Sequence, residues 1–136
     1  MIVLDASVIL KWIFPDEPDR AKSLQYKEAH VKGVEIVAVP DLLFYEIANV
    51  LTTKTTIETR EISEVFSLIW QLELEVFSFA LEEFSNGINL SRKFKITFYD
   101  SAYIELARAL KCSFVTADKK LYEKVKSLHA VRVHLL

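Results

Sequence analysis

Four acidic residues are placed as carboxylate-based metal chemistry requires, at the ends of short apolar runs or inside otherwise apolar helical stretches. Asp5 closes Ile2-Val-Leu4, and Asp118 follows Ser113-Phe-Val-Thr-Ala117. In open parallel α/β sheets, sites form beyond the carboxyl ends of the strands, so two parallel strands would set these carboxylates at one edge. Glu46 is the one charged residue between Leu42 and Leu51, in a stretch otherwise apolar apart from Tyr45 and Asn49. Burying a lone carboxylate is costly, so such a residue needs a cation, a hydrogen-bond donor or a metal. Asp100 begins a strongly helical run that continues through Leu110.

Each acid also fits an ordinary role. Asp5 and Asp118 can cap the helices that follow their strands, Thr97 and Asp100 fit a Thr-x-x-Asp capping arrangement, and Glu46 can lie at the edge of a core. The set and its chain positions carry more weight than any member. Like charges gathered at one sheet edge raise each other's pKa values, and a divalent cation relieves that repulsion. Ligands that offer only oxygen favour a hard cation, Mg²⁺ or Mn²⁺, over zinc.

The elements that would position these acids can be read from periodicity. Strand-type runs occur at Ile2–Leu4, Ile36–Val39, Glu75–Phe79, Ser113–Thr116 and Val131–His134, with helical spacing between them. One helix follows Pro40 and Asp41, and Glu61 to Leu72 forms another, with Ile62, Val65, Phe66, Ile69 and Leu72 on one side. The Thr-rich stretch Thr52–Thr59 reads as a mobile connection. The alternation predicts an α/β fold, a single domain over residues 1–136 with a central, mainly parallel sheet flanked by helices.

Composition narrows the function classes. The chain of 136 residues is 51% hydrophobic and 26% charged, which suits one globular domain with its own core. It has no apolar run of membrane-spanning length and no export leader after Met1, so a cytoplasmic protein is expected. A single cysteine, Cys112, excludes an internal disulfide and a cysteine-rich zinc site, and reads as a small buried side chain. The net charge of −2 argues against strong nonspecific nucleic-acid binding, though a basic rim around an acidic pocket remains open. Trp12 and Trp70 read as core residues, as do Phe44, Ile47 and Leu51, although those three also suit a subunit contact. His30, His129 and His134 lie outside the motifs and receive no role.

Asp5-Ala-Ser7 after an opening strand, Tyr45-Glu46-Ile-Ala-Asn-Val-Leu51, Tyr99-Asp100-Ser-Ala-Tyr-Ile-Glu-Leu-Ala107 and Thr116-Ala-Asp118-Lys-Lys-Leu121 together resemble the PIN domain, especially VapC-type toxins of prokaryotic toxin–antitoxin pairs. The order and spacing agree over essentially the whole chain. The resemblance implies a Mg²⁺- or Mn²⁺-dependent endoribonuclease acting on structured RNA such as transfer or ribosomal RNA. It also implies a homodimer and a cognate VapB-type antitoxin whose tail covers the pocket. Carried over residue by residue, Asp5, Glu46, Asp100 and Asp118 match the family's acidic quartet, and Ser7 and Thr116 match its smaller polar positions, which steady a carboxylate or a water. RNA then needs a basic rim, for which Lys11, Arg92, Lys93, Lys95, Lys119 and Lys120 are candidates by their nearness to the motifs.

Other readings make different demands. A receiver-type signalling domain needs paired acids after the first strand, whereas Ala6 and Ser7 follow Asp5. A haloacid-dehalogenase-type phosphatase needs a second Asp where Ser7 stands. A PIN-like domain that binds RNA or protein without cutting remains the binding-class alternative.

Overall fold

The computed structural model describes residues 1–136. Five strands, β1 (Ile2–Leu4), β2 (Val37–Pro40), β3 (Glu75–Phe77), β4 (Ser113–Thr116) and β5 (Val133–Leu135), form one sheet in the order β3-β2-β1-β4-β5. Every neighbouring pair is parallel. The connections carry seven helices: α1 (Ala6–Ile13), α2 (Arg20–Val31), α3 (Leu42–Thr53), α4 (Thr59–Trp70), α5 (Leu81–Phe94), α6 (Phe98–Ala109) and α7 (Lys119–Val125).

The central strands are apolar on both faces because helices cover both. Val3, Leu4, Val37, Val39, Phe114 and Val115 are fully buried, and Leu43, Ile47, Leu51 and Ile104 pack on them from the helices. Burial of this kind contributes about 1.5–3 kcal/mol for each large side chain. The reading of Ile47 and Leu51 as core holds. Phe44 is half-buried, edge-on to Phe66 at a centroid distance of 6.1 Å.

α5 and α6 make the most extensive helix contact. At Gly87 a Cβ would stand 3.0 Å from the Phe98 ring, so a side chain there would press on that ring. The same pair encloses Glu105, which is fully buried and held by Asn86 at 3.1 Å and by a two-pronged bond from Arg108 at 2.6 Å.

Three expectations change. Trp70 is 62% exposed, not core. It sits one residue past buried Ile69, hence about 100° around the helix from the apolar stripe, and covers Phe44 from outside at 4.8 Å between centroids. The Thr-rich connection is shorter than expected because α3 continues through Thr53, with the hydroxyls of Thr52 and Thr53 bonded to Asn49 O. Cys112 is half-buried, and burial pushes its thiol up, away from nucleophilic use. His30 gains a structural role, accepting from Val37 N–H at Nδ1 (3.2 Å), with Nε2 2.9 Å from Leu72 O. Trp12 is buried as expected, its indole donating to Ser23 O. No helix is long and apolar enough to cross a membrane.

Candidate active site

β1 and β4 lie side by side where the strand order reverses, the position at which an open α/β sheet leaves a crevice beyond its carboxyl ends. Asp5 is the first residue past β1. It caps α1, its Oδ1 accepting from Val8 N–H at 3.2 Å and from the Ser7 hydroxyl. Asp118 lies two residues past β4 and caps α7, its Oδ1 accepting from Lys120 N–H at 2.8 Å and Leu121 N–H at 3.0 Å. Ser7 and Thr116 join the two strand ends. Ser7 Oγ accepts from Ala117 N–H at 2.8 Å and stands 3.5 Å from Thr116 Oγ1, which accepts from Asp118 N–H at 3.0 Å.

Glu46 reaches the edge from α3, and Asp100 from the first turn of α6, where Thr97 accepts Asp100 N–H at 3.0 Å. Tyr103, one turn beyond Asp100, donates its hydroxyl to Glu46 Oε2. Burial pushes the Asp5 carboxyl up from 3.8 to about 6, against the bonds from Ser7, Thr116 and Val8, and the charge of Glu46 adds to the rise. Glu46 is raised by burial, eased by the Tyr103 bond, and raised again by Asp100. Asp5 thus feels the charge of Glu46, and Glu46 that of Asp100. The Ser7–Thr116 hydrogen-bond chain ties the backbone N–H of Asp118 to the same strand ends.

None of the four acids has a basic partner, since all seven ion pairs lie elsewhere. Asp5 and Asp118 accept their helix-cap bonds at Oδ1, and Glu46 accepts from Tyr103 at Oε2. No three acids or histidines converge at ready-made ligand spacing. A hard divalent cation still fits the donor chemistry. The carboxylates are unneutralised, one is buried and holds its proton unusually tightly, and each has oxygen to give.

The PIN domain profile matches residues 2–127. The chain belongs to the PIN domain family. It is 31% identical over 132 residues to Ribonuclease VapC3 of Pyrobaculum aerophilum, covering 93% of this chain and 96% of that protein. Among solved structures it is similar to VapBC2 from Rickettsia felis bound to a promoter DNA fragment, with TM-score 0.74, 15% identity, and coverage of 100% of this chain and 99% of that one. It is also similar to VapC20 of Mycobacterium tuberculosis, described as a sarcin-ricin loop cleaving toxin, with TM-score 0.68, 12% identity, and coverage of 97% and 99%.

Beside Asp118 this PIN domain opens a cavity of about 490 Å³, bordered also by Ser7, Leu10, Phe14, Val50 and Lys54. Lys11 also lines it but does not belong to a free basic rim. It is 6% exposed and paired with Glu17 at 3.1 Å, because its position on α1 turns it inward, where only a pairing acid makes the charge tolerable. Arg92, Lys93, Lys95, Lys119 and Lys120 are exposed. Lys119 and Lys120 adjoin Asp118 at the start of α7, whereas Lys93 borders a separate cavity of about 300 Å³ with Asn86, Asn89 and Arg108. Sequence reasoning missed Lys54, which the Thr-rich stretch concealed. It also missed Tyr103, although its spacing of three from Asp100 on one helix marked a shared face.

Proposed function

We propose that this PIN domain is a Mg²⁺- or Mn²⁺-dependent endoribonuclease, the toxin of a VapBC-type pair, hydrolysing phosphodiester bonds in structured RNA. The observation that carries the reading is the group of carboxylates at the switch point of the sheet, buried or half-buried in part and without a basic partner. The likeness to Ribonuclease VapC3 over nearly the whole chain supports the substrate class.

Asp5, Glu46, Asp100 and Asp118 would hold the ion. When bound, it supplies Lewis-acid polarisation of the scissile phosphate and a reactive water at neutral pH. The chain's own residues do the rest. Ser7 and Thr116 fix the orientation of Asp5 and of the Asp118 backbone, and the two helix caps hold both acids on rigid elements. Lys54, Lys119 and Lys120 offer positive charge beside the acids for the flanking phosphates.

For partners, we infer a VapB-type antitoxin whose tail fills the cavity at Leu10, Phe14 and Val50, next to Asp118. We infer a homodimer contact on the exposed apolar surface of Tyr45, Phe84 and Tyr99, which border one apolar cleft. Light scattering tests the second inference, a monomer at high concentration counting against it. The nuclease reading is tested by incubating a transfer and ribosomal RNA pool with wild type and Asp5→Asn, each with Mg²⁺, Mn²⁺ or EDTA. Cleavage that needs both metal and Asp5 is expected; equal or absent cleavage in both folded proteins would move the function to binding alone.

A further inference from the structure

Tyr103 is a deeply buried phenol at the floor of the acidic edge. Its side chain is 2% exposed, with the ring packed nearly parallel to Phe114 at 6.5 Å. A buried phenol hydroxyl needs a partner, and backbone carbonyls of a helical core are mostly taken, so the choice of partner is informative. Here the partner is Glu46 Oε2, on a different helix and 57 positions earlier in the chain. The backbone of Ala6, next to Asp5, also neighbours the phenol oxygen. One hydroxyl thus stands among α3, α6 and the first strand's end, the elements that deliver Glu46, Asp100 and Asp5.

We propose that Tyr103 is a positioning residue for the metal site, holding Glu46 at Oε2 so that the side chain keeps one orientation and Oε1 would be left for the ion. The inference rests on the metal-dependent reading given above. A glutamate has three rotatable side-chain bonds and, on a half-buried helix face, many orientations that would turn its charge to water. The phenol removes most of them. It donates to the charged form and takes one oxygen, so the other is held in a fixed direction without a competing cation. Ring packing on Phe114 sets the hydroxyl's own place, so the orientation is transmitted from the core to the site.

The test is Mn²⁺ binding to the purified full chain, followed by electron paramagnetic resonance of the free ion, for wild type, Tyr103→Phe, Glu46→Gln and the double variant. Tyr103→Phe keeps the packed ring and removes only the hydroxyl, and circular dichroism without metal serves as its folding control. The expected result is a loss of affinity of about tenfold in Tyr103→Phe, within the range for partners of metal ligands. In the Glu46→Gln background the same change should add almost nothing, since Tyr103 acts through Glu46. A merely structural tyrosine would lower thermal stability and leave affinity unchanged, or lower affinity equally in both backgrounds; either result overturns the proposal. A second readout needs only wild type: Mg²⁺ should perturb the tyrosine ultraviolet difference spectrum, and an unchanged spectrum at saturating Mg²⁺ counts against it. Wild-type protein that takes up neither ion removes the metal reading itself and this inference with it.

Discussion

Asp5→Asn should make the metal-free protein more stable at neutral pH while disabling it. Asp5 is 6% exposed, and burial raises its carboxyl from 3.8 to about 6. Between those values the folded chain keeps a proton that the unfolded chain has released. Stability therefore falls as pH rises through that window, and the full cost is present above about pH 6. At roughly 1.4 kcal/mol per pH unit, the difference amounts to about 3 kcal/mol. Asparagine keeps the Oδ1 acceptor for Ser7 and Val8 and carries no charge. The stability advantage of the variant should be near zero at about pH 4 and approach 3 kcal/mol by about pH 7, roughly 10 °C in melting temperature. The assay is urea and thermal unfolding of both proteins in EDTA across that range. Comparing their difference at each pH removes the contributions of other groups, including Glu46, whose raised carboxyl acts with the same sign. Parallel curves, with a pH-independent difference, would refute the claim that an ionised Asp5 is strained by burial. Saturating Mg²⁺ should then stabilise wild type more than the variant.

Asp100→Asn should weaken Mn²⁺ binding by more than about tenfold, because even partners that only orient ligands are worth that much; calorimetric titration checks it. Arg108→Ala should cost about 3 kcal/mol in urea unfolding, since it leaves the fully buried Glu105 with Asn86 as its remaining partner. A loss below about 1 kcal/mol would show that Asn86 suffices. Replacing both Arg92 and Lys93 with Ala should lower the slope of log affinity against log salt for RNA by about 1.5 if both meet phosphates, and an unchanged slope removes them from the footprint.

The sheet was largely legible because a parallel strand covered on both faces must be apolar throughout. β1 and β4 fall where their hydrophobic runs fall, Ile2–Leu4 and Ser113–Thr116. β5 begins at Val133, two residues later than the run from Val131, since Val131 packs into the core before pairing starts. Trp70 was misread because periodicity fixes a stripe but not how wide a face the neighbouring helix covers; α4 packs mainly on α3, and the stripe ends at Ile69. Lys11, offered as a rim residue, is buried for a related reason. Nearness to a motif along the chain says nothing of which way a helix turns a side chain, and on α1 it points to Glu17. The Tyr103–Glu46 bond itself was invisible in the sequence, since the two residues stand 57 positions apart on different helices.

Helix capping and metal ligation, the two roles the sequence leaves open for Asp5 and Asp118, are compatible in the structure. A carboxylate has two oxygens and about four acceptor directions, and a helix cap uses one oxygen. Asp5 and Asp118 both accept their helix N–H groups at Oδ1, so neither cap uses Oδ2. Capping also makes a better ligand. An acid whose rotamer is locked by backbone donors presents its second oxygen in one direction, whereas a free surface aspartate would lose rotamer entropy on binding an ion. Glu46 lies mid-helix, where no free N–H groups are available, and the hydroxyl of Tyr103 stands in for the cap. If that equivalence is right, Ser7→Ala, which frees Asp5 from a hydroxyl donor, should weaken Mn²⁺ binding about as much as Tyr103→Phe, roughly tenfold. A Ser7→Ala protein that folds and binds Mn²⁺ like wild type would show that the backbone bond from Val8 alone orients Asp5.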